Sequence, residues 1–501
     1  MRTDGWACTH INFAEHFSKV KKILNYIGGA LVEPQNGNFF ENIDPSRGIA
    51  YSLIPDSNQN DVDAAVNAAK MAFPSWSSTP AATRSAIMVR IADLIAKNAE
   101  ALARAESIDN GKPLSLARVM DIPRAEDNIR FFGTAILHWS SEAHIMENSG
   151  INYTNRKPIG VVGCISPWNL PLYLFTWKIA PAIAAGNCVV AKPSEITPMS
   201  AFLFSELCIE AGLPAGVLNI VHGYGPSAGE AIITHAGVKA ISFTGGTATG
   251  ARIAAKAAPV FKKLSLELGG KNPNVIFADC DFEKMLRQTL RSSFTNQGQI
   301  CLCGSRIIIE RPIYEKFKKA FVEKVQNMKV GDPLADETKT GAVVSEAHMN
   351  KILSYIELAK QEGGKILCGG ERFFPGGELN NGYYIKPTVI EGLGPECRTN
   401  REEIFGPVVT IQVFDTEEEA LQLANATEYG LAASLWTSDL NRAHRCASKI
   451  ESGIVWVNTW LMRDLRTPFG GVKNSGVGRE GGWEALRFFT EAQNVCIDFT
   501  P

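Results

Sequence analysis

Between residues 61 and 73 the chain reads DVDAAVNAAKMAF, with apolar residues returning at helical spacing. Asp61, at the head of that run, is placed to cap a helix. The same period predicts helices over residues 81–106 and 114–138, with Pro123 kinking or dividing the second. From Gly160 the rhythm changes to short apolar runs that alternate with helical ones. Strands are predicted at 161–165, 188–191, 217–221 and 240–243, and helices at 172–185, 199–211, 228–235 and 249–258. Strands that are apolar throughout, each followed by a helix, indicate a parallel sheet covered on both faces. A second α/β series runs from 274–277 through strand 306–310, helices near 314–324 and 348–361, and strand 408–414. No internal repeat of fixed short period is present.

With 501 residues, 45% of them hydrophobic, the chain can bury a large core and is expected to form two or more domains. Its 50 basic and 52 acidic residues nearly cancel and form no basic block, which argues against nucleic acid as a partner. Eleven cysteines cannot all pair; Cys164, Cys188, Cys208 and Cys280 sit in apolar runs as small hydrophobes, which fits a reducing compartment. Cys301 and Cys303 lack a neighbouring His or second Cys pair, so no metal site is expected. Residues 1–22 carry Asp4 and Glu15 with few arginines, unlike a signal or transit peptide, and no apolar run reaches membrane-spanning length. A soluble, cytoplasmic protein without a membrane partner is expected.

Cys301 lies in Gly298-Gln299-Ile300-Cys301-Leu302-Cys303-Gly304, one element after Glu267-Leu268-Gly269-Gly270-Lys271. A thiol where glycine lets the backbone approach a ligand, with a carboxylate to serve it, is a nucleophile arrangement. A thiol attacks as thiolate, so nearby positive charge or oriented amides are expected around it. Glu267 ends an apolar run and is either a buried general base or an ion-pair partner of Lys271. Ile165-Ser166-Pro167-Trp168-Asn169 follows a strand directly, at the strand end where parallel sheets bind ligands. Asn169 can offer its amide to an oxyanion there, or simply bond its own backbone in a turn.

Lys192-Pro193-Ser194-Glu195 ends the next strand, and its cation and carboxylate either bond ribose hydroxyls or pair in a solvated loop. Glu195 would also repel a ribose 2′-phosphate, favouring NAD over NADP. Phe243-Thr244-Gly245-Gly246-Thr247 reads as a strand, a glycine turn and a helix start, suited to a pyrophosphate or to a plain tight turn. It lacks the usual dinucleotide and nucleoside-triphosphate glycine spacings. The upstream glycines Gly225 and Gly229 carry a weaker signal, and Glu403-Ile404-Phe405-Gly406-Pro407 is a third acidic site before a strand.

Together these motifs, with Pro468-Phe469-Gly470-Gly471 and Ser475-Gly476, resemble the aldehyde dehydrogenase superfamily in family order from about Ile23 to the C-terminus. The resemblance implies a Rossmann-like NAD-binding domain (1–138 and 158–266), an α/β catalytic domain (267–480) and a small β arm (139–157 and 481–501) whose C-terminal strand adds to a partner subunit. It implies a homo-oligomer, dimer or tetramer, that oxidises a small-molecule aldehyde with NAD. Cys301 would attack the aldehyde, Asn169 and the Cys301 backbone N–H would hold the oxyanion, and Glu267 would activate water against the thioester. Ile165, Ser166, Pro167, Trp168, Lys192, Ser194, Glu195, Gly225, Gly229, Phe243, Thr244, Gly245, Gly246, Leu268, Glu403 and Phe405 would contact the cofactor.

Asp121-Ile122-Pro123-Arg124, Leu461-Met462-Arg463-Asp464 and Asn169-Leu170-Pro171-Leu172-Tyr173 resemble the 2-aminomuconic semialdehyde branch of that superfamily. That likeness implies that Arg124 and Arg463, beside Asn169, bind a substrate carboxylate in tryptophan or aromatic-ring catabolism; a guanidinium grips a carboxylate bidentately. The alternative pairs each arginine with a nearby acid, Asp121 or Asp464. A 2-hydroxymuconic semialdehyde, a coenzyme A-acylating variant and a non-catalytic protein on the same fold are the competing readings.

Overall fold

The computed structural model describes residues 22–500. The reading of residues 1–21 lies outside them. Two large sheets organise the chain. In the first, five strands run parallel in the order Leu218–Ile220, Cys188–Lys192, Val161–Ile165, Val238–Thr244 and Lys263–Glu267. Val161–Ile165 comes first in the chain and sits in the middle, so the winding reverses between it and Val238–Thr244. Ligand clefts in open parallel sheets form at such a reversal, beyond the carboxyl ends of the strands. The edges are antiparallel: Asn25–Ile27 and Ala30–Val32 close one side, and Gly476–Val477 pairs with Leu266 and Glu267 on the other. That last strand comes from the segment expected to belong to the second unit.

The second sheet has the order Lys365–Cys368, Thr388–Glu391, Val408–Phe414, Arg306–Glu310, Pro273–Ile276, Ala432–Trp436 and Ile454–Val457. Its strands are parallel except the first. A third, three-stranded antiparallel sheet joins Thr490–Asp498, Gly150–Pro158 and Ala143–Met146. The C-terminal strand, expected to add to a partner subunit, pairs along its length with Gly150–Pro158 of its own chain. Among the described residues no helix is long and apolar enough to cross a membrane.

Helix boundaries differ from the pattern-based expectation where polar side chains or proline decide them. The first long helix is Gln59–Ser78, capped by Asn58. Asp61 is the reciprocal member of that capping box, its carboxylate accepting the Asn58 N–H at 3.0 Å. The expected helix 81–106 breaks at Asn98 into Ala81–Lys97 and Ala99–Asn110, where Asn98 Nδ2 donates to the Leu94 carbonyl at 2.8 Å. Pro123 does not kink a helix; it sits in the first turn of Ile122–Ala135, preceded by a π-turn, Ala117–Asp121. The expected helix 228–235 is Glu230–Thr234, led by a π-turn at Gly225–Gly229. Pro171–Ala184 is buried on every side, as a helix between two layers must be.

Candidate active site

The Cys301 loop is locked by side chains from elsewhere in the chain. After the helix Phe282–Phe294, three successive residues take left-handed backbone: Asn296, Gln297 and Gly298, with φ of 54°, 57° and 69°. Glycine enters that region freely and asparagine tolerates it. At Gly298 space also excludes a side chain, because a Cβ would lie 2.1 Å from the Gly406 carbonyl oxygen. Asn272 Nδ2 donates to the carbonyls of Cys301 at 2.6 Å and Cys303 at 2.9 Å, and Trp460 Nε1 donates to that of Leu302 at 2.9 Å. A thiol on such a loop is held in place before any ligand arrives.

Cys301 lines two cavities. One, of about 220 Å³, also carries Asn169, Trp168, Leu268, Glu403 and Phe405. The other, smaller, carries Glu267, Arg463, Tyr173 and Glu480. Two carboxylates therefore face the thiol, and burial, then Glu403 and Glu267, push its pKa up while Arg463 opposes them. The positive charge and the amide expected near the thiol are there, in Arg463 and Asn169, but burial and the two carboxylates outweigh them and favour the protonated thiol.

Glu267 closes strand Lys263–Glu267 and is 3% exposed, with no hydrogen-bond partner on either carboxylate oxygen. Its ion pair with Lys271, the alternative reading, does not form. Gly470 leaves it room, since a Cβ there would sit 2.7 Å from Glu267 Oε1. Burial, then the negative charge of Glu480, raise Glu267 well above the usual carboxylate range, against Lys178, Arg479 and Arg463. The two glycines after it serve a different carboxylate: a Cβ on Gly269 would meet Glu403 Oε2 at 2.4 Å, and Gly270 N donates to Glu403 Oε1 at 2.9 Å.

Asn169, buried on the loop after Val161–Ile165, does not bond its own turn. Its Nδ2 donates to the Gln299 carbonyl at 2.9 Å. Its own carbonyl accepts from Asn296 Nδ2 at 2.9 Å and Lys112 Nζ at 3.0 Å. The second amide N–H of Asn169 is left for the cavity it shares with Cys301.

A cleft of about 400 Å³ continues from the larger cavity over the carboxyl ends of the first sheet. Ile165, Ser166, Pro167 and Trp168 line it from one strand end, and Phe243, Thr244, Gly245 and Gly246 from the neighbouring one. Gly245 is required because Phe243 folds back over it, its ring 2.4 Å from where a Cβ would be. Gly246 opens the helix Thr247–Ala257 without a side-chain cap, leaving first-turn N–H groups free. Lys192, Ser194 and Glu195 line the same cleft with Gly225 and Gly229. Lys192 is buried and pairs with Glu195 at 2.8 Å, so this is not a solvated loop pair; Gly225 N also donates to Glu195 at 3.2 Å. Ser166 Oγ and Thr244 Oγ1 are buried in the cleft wall without partners.

Arg463 lines the smaller cavity, its Nη1 donating to the Tyr173 hydroxyl at 2.7 Å and its guanidinium 4.0 Å from the Phe469 ring centre. Arg124 is not among the lining residues; it lies over the same Tyr173 and Trp177 rings, 5.5 Å from each, and its Nη2 is buried without a partner. The suggested acid partners are taken elsewhere: Asp121 by Lys112 at 2.6 Å, and Asp464 by Arg466 at 2.6 Å. The pattern reading missed His348, Lys351, Asn272, Asn296 and Lys112. His348 joins the larger cavity and its Nε2 donates to the carbonyl of Phe405, a residue with φ of 62°, at 2.7 Å. Burial pushes its pKa down to about 4, so the ring is neutral at physiological pH. Nothing in its helical spacing marked it; the consecutive Asn-Gln-Gly at 296–298 was the one visible signal of a left-handed turn.

Comparison with known proteins agrees with this architecture. The model of the Aldehyde dehydrogenase family matches residues 31–495. A 2-aminomuconic semialdehyde dehydrogenase of Mus musculus is 50% identical over 478 residues, covering 95% of this chain and 98% of its own. A 2-hydroxymuconic semialdehyde dehydrogenase of Pseudomonas sp. (strain CF600) is 44% identical, covering 95% and 100%. The NAD+ complex structure of an aldehyde dehydrogenase from Bacillus cereus superposes with a TM-score of 0.94 at 38% identity, covering 97% of this chain and 98% of its own. A thiol, a buried carboxylate and an amide meeting at the reversal point of the first sheet, on a fold shared nearly end to end, place the chain in one group: it belongs to the aldehyde dehydrogenase family, whose members are aldehyde-oxidising oxidoreductases.

Proposed function

We propose that the protein oxidises a carboxylate-bearing unsaturated semialdehyde with NAD, converting 2-aminomuconate 6-semialdehyde to 2-aminomuconate. The observation that carries the substrate class is the pair of arginines. Among the described residues neither Arg124 nor Arg463 forms an ion pair; Arg463 lines the cavity it shares with Cys301, and Arg124 lies behind it over the Tyr173 and Trp177 rings. A guanidinium left without a carboxylate in such a place is matched by a substrate that brings one. The names of the Mus musculus and Pseudomonas relatives support the same class and leave the amino and hydroxy substrates as the two candidates.

The cleft fits a dinucleotide. The unpartnered Ser166 Oγ and Thr244 Oγ1, the uncapped N-terminus of Thr247–Ala257 and the glycines that clear the wall are the features such a ligand uses. Lys192, Ser194 and Glu195 would hold the adenosine ribose, Gly225 and Gly229 border it, and Gly245 and Gly246 face the pyrophosphate. Trp168, Leu268, Glu403 and Phe405 would hold the nicotinamide side. Bound NAD supplies the hydride acceptor.

The chain's own groups do the rest. Cys301 Sγ, once deprotonated, bonds the aldehyde carbon, and the carbonyl oxygen takes up the negative charge. The spare Asn169 N–H and the Cys301 backbone N–H stabilise that oxyanion. Loss of hydride from the carbon leaves a thioester. Glu267, deprotonated, takes a proton from water as the water oxygen attacks the thioester carbon, and the acid and the thiol are released. The homo-oligomeric state and cytoplasmic setting expected from the sequence belong to the same reading.

NADH formation by the purified protein with acidic and neutral aldehydes of equal length, given NAD or NADP, tests the proposal. Arg463→Ala should raise KM for the acidic semialdehyde about 10- to 100-fold, the value of a charge-assisted hydrogen bond, and change the neutral one less than about threefold. Equal changes for both would remove the carboxylate claim.

A further inference from the structure

Where the helix Ala99–Asn110 packs on the Ala117–Asp121 turn lies a buried ionic cluster that no part of the proposed reaction touches directly. Lys112, Glu106 and Asp121 have side chains with 0% exposure. Lys112 Nζ lies 2.6 Å from Asp121 Oδ1, 3.8 Å from Glu106 Oε2 and 3.0 Å from the backbone carbonyl oxygen of Asn169. Glu106 Oε1 accepts the N–H of Leu172, at the start of Pro171–Ala184, at 2.7 Å. Burial raises both Glu106 and Asp121 above the ordinary carboxylate range, with Lys112 opposing the rise in each. A buried ammonium is costly unless it is fully engaged, and such clusters are retained where they fix one geometry rather than for net stability.

The geometry fixed here is that of Asn169. Its carbonyl is gripped by Lys112 and by Asn296, and its side-chain amide is oriented by the Gln299 carbonyl. Asn296 and Gln299 belong to the Cys301 loop. Lys112 is therefore the tether on the opposite side, linking Asn169 to the Leu114–Leu116 and Ala117–Asp121 turns instead of to the nucleophile's own loop. An amide that serves an oxyanion must be in place before the charge develops, and a displacement of about 1 Å in a positioning group can cost on the order of 100-fold in rate.

We propose that Lys112, anchored by Asp121, is a positioning residue that holds Asn169 in register with Cys301. The inference rests on the oxyanion role proposed for Asn169. The test is a double-mutant cycle on the full-length protein. The paired change Lys112→Met with Asp121→Asn removes the tether without leaving an unpaired buried charge. It should lower kcat for NADH formation by about 10- to 100-fold while KM for the aldehyde and the affinity for NAD, measured by calorimetry, stay within about threefold. In an Asn169→Ala background the same pair should lower kcat by less than about threefold, because the group it positions is gone.

An unchanged kcat in the wild-type background overturns the inference, and so does an equal fall in both backgrounds. If the pair does not fold, Lys112→Leu with Asp121→Asn, which likewise leaves no unpaired buried charge, is measured through the same cycle with the same two outcomes. The Asn169→Ala protein by itself judges the underlying reading: full activity there sinks the oxyanion role, whereas lost activity with additive Lys112 effects sinks only the tether.

Discussion

Cys301, Glu267 and Asn169 show how differently single residues behave once buried together. Burial pushes the thiol and the carboxylate both toward their neutral forms, so each must lose a proton before it acts as nucleophile or base. Cys301→Ala should abolish NADH formation, and Glu267→Gln should lower kcat by about 10²- to 10⁴-fold with the acylated enzyme accumulating, visible by intact mass spectrometry. The Glu267 shift also sets a stability trend. Its folded pKa is raised, so above the ordinary carboxylate value the folded chain holds a proton the unfolded chain has released. Stability from this group therefore falls as pH rises toward the folded pKa. Glu267→Gln removes that loss, and its thermal midpoint should gain on the wild type between pH 5 and pH 8. A gap that narrows over that range would mean the carboxylate is not protonated in the native state.

At the scale of elements, the parallel runs were plain in the sequence because strands buried on both faces leave no polar alternation. Val161–Ile165 and Arg306–Glu310 fall where the pattern put them. The ends of helices were less legible, since they depend on hydrogen bonds made by side chains just outside the periodic region. Asn58, and not Asp61, caps Gln59–Ser78, because the box needs a side chain at the cap and a carboxylate three residues on. Asn58→Ala should cost about 1 kcal/mol, seen as a lower thermal midpoint with activity unchanged, and Asn58→Asp should restore it. The π-turn at Ala117–Asp121 had no periodic signature, although it delivers Asp121 to Lys112 and starts the helix that carries Arg124.

Across the whole molecule, the three-stranded sheet is the feature that stands apart from the cores of the two large sheets. Thr490–Asp498 covers one edge of Gly150–Pro158, while Ile145 and Ile497 are 78% and 45% exposed. A sheet with open edges and exposed aliphatic residues is suited to pairing with a second copy. Truncation before Thr490 should give a smaller species by light scattering than the full chain, with the proportion of unfolded protein unchanged at low temperature. An identical oligomer after truncation would assign assembly to another face.

What the sequence determined by itself was the alternation of buried strands and helices, and the chemical identity of the thiol, the carboxylate and the amide, since burial patterns and reactive side chains are local properties. Tertiary structure alone decided which of these groups meet. It set Glu267 and Glu403 on either side of Cys301, gave Gly269 to Glu403 and Gly470 to Glu267, and sent Lys112 to the Asn169 carbonyl. Those pairings join residues far apart along the chain, and the shifts in proton affinity follow from the distances and burial they create, which no stretch of sequence encodes on its own.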